Sequence, residues 1–531
     1  MRTKLLVCLI VLISSNIFAQ DISSSKTIPT TYDRSSIAVF YLDFQSGNHW
    51  DKVKASIDSL IFSDKYDNNN FNDIFLKPSF SRTTKLDSPQ QELIKDLEII
   101  NAGRELISMW YNRKSDGTMN MDLINKRGRF TATDADFLRA QTSKRGNAAL
   151  EDFGNRLINL TYILLIDIQN VQTYEEASVK NMKGWKATVT GYLFKIDFNE
   201  DIRNALYENA WIYDDDTEAI KAQKRKAFDE LVIPVVPVLQ KTLYLSAAQM
   251  ESESGVRLSL KTKSMDDLLR ELVQKSYDEV LYRIEMEVEE FKIKTSIYAT
   301  RPIRAKIGLK EGLKTDYRFF AYEHVYNTKT NQAEPVRRGV IRVGKKSKIV
   351  DNRKEATGDM GTSQFYQVAG RKLDAGFTLQ QRNDFGIEVS LGPEIGSVGG
   401  IYARLDYRLG RYIGIKAIFV YGEGGFDTDF LRYGAGIAKG FQLMRNIELR
   451  PYIGAGVEST ESNSTSISSL YFRTGANLAL NLKHNFQLIG GMGMYGFLGD
   501  ATDSDGVVYG TWDDLYDRSG PATLIGIKVM F

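Results

Sequence analysis

The sequence is poor in the residues that most often carry chemistry. Its one cysteine is Cys8, so everything after it lacks a disulfide partner, a thiolate nucleophile and a cysteine metal ligand. Only three histidines occur, His49, His324 and His484, in separate segments. They form neither a two-histidine metal spacing nor a Ser-His-Asp arrangement. No stretch after the first residues is apolar for the roughly 18 positions that a helical membrane span requires. The formal net charge is only +2, so bulk charge does not announce a nucleic-acid partner. No cofactor is expected. A carboxylate-only enzyme stays open, because paired acids are invisible without a fold.

Residues 1–19 read as a signal peptide. Arg2 and Lys4 form its charged end, Leu5 to Ile13 its apolar run, and Ser14, Ser15 and Ala19 lead to a cut near Gln20. Val7 precedes Cys8 and the apolar run continues past it, which argues against lipidation.

Residues 383–531 carry a period-two alternation repeated at near-regular spacing, the pattern of a transmembrane β-barrel. Ile401, Ala403, Leu405, Tyr407 and Leu409 alternate with Arg404, Asp406 and Arg408. A third strand reads as Ile413, Ile415, Ala417, Phe419 and Tyr421 outside with Lys416 inside. Ile447, Leu449, Ile453, Ala455 and Val457 oppose Glu448, Arg450 and Gly454, and Leu470 to Leu482 oppose Arg473, Asn477 and Asn481. Lys439 falls on an apolar face, from which it can snorkel towards headgroups. The connections at 410–411, 444–446 and 483–485 read as tight turns, and those at 392–400, 422–429, 459–469 and 499–522 as long loops. Short inner turns and long outer loops then imply eight antiparallel strands with both ends in the periplasm.

Eight strands leave an interior that side chains just fill. The inward positions hold Arg404, Arg408, Lys416, Arg432, Arg450, Arg473 and Lys528 against Glu388, Asp406 and Glu448. An ion-paired, plugged lumen is expected; a narrow anion channel is the alternative. The last residues, Ile525 to Phe531, alternate and close on a terminal Phe, similar to the assembly signal of outer-membrane barrel proteins. On these residues the segment resembles the OmpA/OmpX-type small outer-membrane β-barrel family. That resemblance implies insertion in a Gram-negative outer membrane, with outer-membrane lipid and the barrel-assembly machinery as partners, and no particular activity.

The expected architecture is therefore multidomain. A periplasmic α/β domain occupies residues 20–298, a small β-barrel or sandwich of about five strands 299–382, and the membrane barrel 383–531. In the α/β domain, Ser36 to Phe44, Tyr162 to Val171 and Trp185 to Phe198 read as strands. Trp50 to Phe62, Gln90 to Tyr111, Thr133 to Thr142 and Asn147 to Leu160 read as helical, and Lys221 to Leu239 reads as mostly helical until Pro234 and Pro237 interrupt it. Ser264 and Asp267 mark a capped start to a long amphipathic helix. The run Ile307 to Leu313 with the following Tyr317 to Tyr322 strand is faintly similar to modules of flagellar-assembly and curli-type envelope proteins.

Gly339 to Lys346 nearly spells a P-loop, but the intervening residues are strand-like and Lys346 stands where a hydroxyl should be. Arg337, Arg338, Arg342, Lys345, Lys346 and Lys348 form a basic strip that could hold phosphate headgroups or an acidic partner, or simply be a solvated strand edge. Asp503 to Gly506 resembles the start of a calcium loop without its closing Glu, so a solvated loop is favoured there. The function expected is a non-enzymatic envelope assembly, tethering or secretion-associated protein with a periplasmic partner. A glycan-acting hydrolase in the α/β domain is the alternative.

Overall fold

The computed structural model describes residues 34–131 without 46 and 70, 156–250, 263–328, 332–353, 361–462, 465–503 and 505–531. The expected signal peptide, the helix at 133–142 and residues 147–155 lie outside these.

Strands β1 (Ser36–Leu42), β2 (Asp67–Asn68), β3 (Phe75–Leu76), β4 (Thr161–Thr173), β5 (Met182–Ile196) and β6 (Val235–Met250) form a mixed sheet. Helices α1 (Trp50–Ile57), α2 (Pro89–Ile99), α3 (Ala102–Trp110), α4 (Asp122–Thr131), α5 (Glu200–Ala205), α6 (Glu218–Glu230) and α7 (Met265–Glu287) accompany it. Strand β1 runs parallel to β4, with Phe40 opposite Leu165, and every residue of β1 is buried. Its unbroken apolar run has that cause: both faces are covered. Ile37, Val39 and Tyr41 share a core with Leu272, Val280 and Ile284 of α7. Ala38, Phe40 and Leu42 share another with Leu93, Leu97, Leu106 and Trp110. Gly191 lets α7 lie close to the sheet, since a Cβ there would sit 2.4 Å from Val280. The start of α7 is capped as its sequence implies, Ser264 Oγ accepting from Asp267 N at 3.1 Å.

Three expectations in this domain need correction. The helix read over 50–62 ends at Ile57. The helix read over 90–111 is two, broken where Asn101 takes a left-handed φ of 50°. The helical reading of 221–239 fails beyond Glu230, because β6 begins at Val235. Pro237 is accommodated there at a register shift on an edge strand, where a missing N–H costs no ladder bond.

The middle domain is a closed ring in the order β10-β11-β8-β7-β12-β9. Its strands are β7 (Lys294–Thr300), β8 (Ile303–Ala305), β9 (Arg318–Asn327), β10 (Gln332–Val343), β11 (Ser363–Gly370) and β12 (Thr378–Gln381). Ile297, Phe319, Ala321, Ile341, Val343, Phe365 and Leu379 fill it. The ring begins at Lys294, upstream of the boundary read at residue 298, and β7 is the strand beyond the five expected. The P-loop-like run is strand up to Val343.

The C-terminal domain contains β13 (Ile387–Gly396), β14 (Gly400–Arg408), β15 (Ile418–Phe426), β16 (Phe430–Lys439), β17 (Phe441–Met444), β18 (Ile447–Ser462), β19 (Thr465–Asn481), β20 (Phe486–Asp503), β21 (Val508–Thr511) and β22 (Gly520–Met530). Each long strand pairs antiparallel with the next, β17 and β21 being short additions to β18 and β20. Two pairings close the ring: β16 with β18, Ala435 opposite Ala455, and β13 with β22, Val389 opposite Val529. The result is an eight-stranded antiparallel barrel.

Candidate functional site

Alternation along these strands sorts the side chains into two environments. Leu405, Ile437, Ile453, Leu470, Leu478, Met492 and Ile525 stand on the outside, each with more than two fifths of its surface uncovered. They come from six of the strands, so the apolar surface girdles the ring and does not form one patch. Phe426 and Tyr433 lie towards one end of this belt, and Tyr412 and Phe441 towards the other. Water is a poor solvent for such a surface, and a lipid bilayer is a good one.

The inside is charged and buried. Near one end, Glu388 accepts from Arg408 and Arg450 at 2.7 Å each, and Lys528 lies 3.6 Å from it. Arg450 also meets Glu448 at 2.7 Å, and Arg404 meets Asp406 at 2.6 Å. Further along, Glu394 lies between Arg473 at 2.6 Å and Arg432 at 3.1 Å. Glu423 accepts from Arg473, Tyr402 and Tyr471 at 2.9, 2.7 and 3.0 Å. At the far end Glu458 takes Arg432, Arg518 and the Trp512 indole at 3.1, 2.8 and 3.0 Å. The topology is that of a closed, antiparallel, next-neighbour barrel.

Comparisons with solved structures match the same region. The N-terminal barrel domain of Pseudomonas aeruginosa OprF is 14% identical, with a TM-score of 0.20, over 28% of this chain and 98% of that one. The Yersinia pestis outer-membrane protein Ail in a nanodisc is 17% identical, with a TM-score of 0.18, over 27% and 98%. A major outer-membrane protein from Thermus thermophilus is 14% identical, with a TM-score of 0.20, over 27% and 99%. The sequence matches no family model and no curated protein.

Of the lumen residues read from sequence, Glu388, Arg404, Asp406, Arg408, Arg432, Glu448, Arg450, Arg473 and Lys528 all face inward and are buried. Lys416 does not. The third strand begins at Ile418 and not at Ile413; Gly410–Ile413 is a short helical turn, and Ala417 has a φ of 51°. These breaks shift the phase by one residue. Phe419 and Tyr421 point inward, while Ile413, Ile415 and Lys416 stay exposed at the rim. Glu394, Glu423, Glu458 and Arg518 escaped the sequence reading because they lie in or beside stretches that read as loops. Those loops are short in fact: β13 and β14 are separated by residues 397–399 and β15 and β16 by 427–429. On the opposite rim the β14–β15 connection spans 409–417, so the expected contrast between tight and long connections is not found.

The segment 499–522 is largely exposed, with Asp500, Asp505, Asp514 and Asp517 open to solvent, but it is also folded, carrying β21 and a short helix, Trp512–Tyr516. Trp512 is fully buried against Phe430, Phe497 and Tyr516 and caps the far end. Its acids serve its own turns: Asp503 accepts from the amides of Asp505 and Val507, and Asp513 from those of Arg518 and Ser519. Among the described residues no group of three metal-capable side chains converges. The histidines stay apart: His49 meets Glu176, His324 meets Thr378, and His484 packs on Phe320.

The six-stranded ring docks on the end of the barrel where β13 starts and β22 stops. Asp316 is the hub of this seam, and sequence reasoning missed it. Its carboxylate accepts from Ala417 N and from the Tyr366 hydroxyl, both at 2.7 Å, and lies 3.5 Å from Arg408. Lys346 N donates to Gly414 O at 3.0 Å, and Gly370 N to Asn446 Oδ1 at 2.8 Å. Helix α7 reaches the same rim through Glu279, 3.2 Å from the Tyr412 hydroxyl. Phe531, read as an assembly signal, has its backbone tied to Phe385 and Ile387 at 3.1 and 2.9 Å.

The basic strip is not one surface. Arg342 is buried and bonds Asp316 O and the Asp384 carboxylate; Arg338 pairs with Glu323; Arg337, on the exposed side, lies over the Phe320 ring. Lys345, Lys346 and Lys348 stand exposed beyond the end of β10. Burial alone would raise the Asp384 carboxyl, but the Arg342 and Arg318 guanidiniums hold it below the usual carboxylate range.

Proposed function

We propose that this chain is an outer-membrane protein whose C-terminal barrel holds the preceding domains at the periplasmic face, in a non-catalytic role in envelope assembly, tethering or secretion. One observation carries the reading. An apolar belt surrounds a ring whose interior is filled by ion pairs, and one end of that ring is occupied by the rest of the chain. Both barrel termini lie at that docked end, which supports a periplasmic site for residues 20–382, following a signal peptide at 1–19. Outer-membrane lipid, the barrel-assembly machinery and a periplasmic protein are the partners this arrangement implies.

The interior does not favour the anion channel. Its arginines meet carboxylates at hydrogen-bonding distance, so among the described residues no free row of cations lines a path. Nor does the α/β domain favour a glycan hydrolase. Its buried acids are held separately: Asp43 by Trp50 and Lys54, Asp96 by the Ser79 amide, Asp167 by Arg82, and Glu285 by Lys65 and Tyr66.

The test is fractionation with protease mapping. The chain should pellet with outer membranes, resist a carbonate wash and migrate faster unheated than heated. Protease should reach residues 20–382 only after the outer membrane is breached, and a periplasmic protein should co-purify from detergent. Recovery in the soluble fraction, or digestion of these domains in intact cells, would refute the reading.

A further inference from the structure

At the seam a recess of about 520 Å³ is lined by Lys345, Lys346, Ser347, Gly414, Ile415, Lys416 and Lys439. It is built by two domains. Lys345 and Lys346 follow β10 of the six-stranded ring; Gly414 to Lys416 precede β15, and Lys439 ends β16. Gly414 has a φ of +74°, and a Cβ there would lie 2.9 Å from the Lys346 side chain. The close approach of the two walls therefore requires glycine.

The four amines differ from the other cations nearby. Arg342, Arg408 and Arg411 each have a carboxylate partner at this seam. Lys345, Lys346, Lys416 and Lys439 have none within 4.0 Å among the described residues. Lys416 lies 4.9 Å over the Tyr366 ring and Lys439 donates to the Lys416 carbonyl, so two of the amines are positioned without being neutralised. Their depth is also fixed. Lys439 is the register partner of Ile418, the first residue of β15, so the recess opens where the β15–β16 part of the barrel wall ends, beside the β17–β18 part that continues further. Tyr412, Ile413 and Ile415 are about half exposed on the same rim. Positive charge just beyond an apolar edge is the arrangement an anionic lipid meets at its phosphate.

We propose that this recess binds the phosphodiester headgroup of an anionic phospholipid in the leaflet facing the docked domains. The inference rests on the membrane reading above and deepens it. Contacts from lysine to phosphate, with the apolar rim against the acyl chains, would then hold the seam at a fixed depth in the bilayer.

The full chain is folded into vesicles of equal phosphatidylcholine and phosphatidylglycerol, extracted gently, and its retained lipid is counted by native mass spectrometry. Phosphatidylglycerol should be retained over phosphatidylcholine by about fivefold or more, the size expected from a few lysines at a headgroup. Changing Lys345, Lys346, Lys416 and Lys439 together to Gln should bring the ratio near one. The same change at exposed Lys52, Lys85, Lys114 and Lys180 should leave it intact. Equal ratios for the wild type and the first variant overturn the proposal, as does full loss of preference in millimolar inorganic phosphate, which would assign a free ion. Failure of the membrane reading looks different: the wild type then does not enter vesicles at all.

Discussion

Glu388→Gln tests the ion-paired lumen most directly. The carboxylate serves Arg408 and Arg450 at 2.7 Å and Lys528 at 3.6 Å, all with almost no exposed surface. The two arginines have second partners: Arg408 has Asp316 at 3.5 Å, and Arg450 has Glu448 at 2.7 Å. Lys528 has no other carboxylate within 4.0 Å among the described residues. The substitution thus leaves one buried ammonium uncompensated. Breaking a buried pair from one side costs about 3 to 5 kcal/mol, and the surviving arginine contacts place this case at the lower end of that range. Lys528→Met alone should cost about 1 kcal/mol, because it removes the charge instead of stranding it. The double variant should therefore be more stable than Glu388→Gln, with a coupling of about 2 kcal/mol. Urea titration of the barrel in liposomes, read as the fraction keeping the fast-migrating form on unheated gels, measures all three. If the two single costs simply add, the lumen is wet enough to screen them and the plugged interior is wrong.

Other outcomes follow from the same geometry. Leu405→Arg puts a charge on the lipid face and should cost about 2 to 4 kcal/mol near the bilayer midplane, while Asn477→Ser inside the lumen should cost far less in the same titration. Gly414→Ala forces a side chain into a left-handed backbone against Lys346, at about 1 to 2 kcal/mol, and should speed protease cleavage between the two barrels without lowering barrel stability equally. Burial outweighs the Arg82 guanidinium and pushes Asp167 up to about 6. The folded α/β domain then binds a proton that the unfolded chain has released, so this residue makes the domain less stable as pH rises from about 4 to about 6, by up to about 3 kcal/mol. Hydrogen exchange of β4 amides should show that slope in the wild type and lose it in Asp167→Asn.

How much of this could be read from the chain depends on what each residue type signals. Strands β14, β18 and β19 were legible because large apolar residues alternate with arginine and asparagine, and a barrel wall enforces that period. The third strand misled because Ile413 and Ile415 continue the same rhythm through a rim turn, and the left-handed Ala417 that resets the phase has no sequence mark. Glu394, Glu423 and Glu458 sit among small and polar residues that look like loop, yet each binds arginine inside the wall. Pro234 and Pro237 mark the interruption of the helical run but also argue against a strand, so β6 was not legible, although an edge strand tolerates proline. Asp316 could not be found at all, since Ala417 and Arg408 lie in the barrel about a hundred residues away and Tyr366 on a distant strand of its own ring.

That aspartate has a consequence for biogenesis. It belongs to the six-stranded ring, yet it supplies a carboxylate beside Arg408 on the floor of the other barrel. A barrel inserted before its neighbour has folded thus remains one acceptor short at its base. Arrival of the upstream domain is written into the downstream one as a completed charge pair, so a truncated product differs from a whole one at the Arg408 guanidinium as well as at the Ala417 amide.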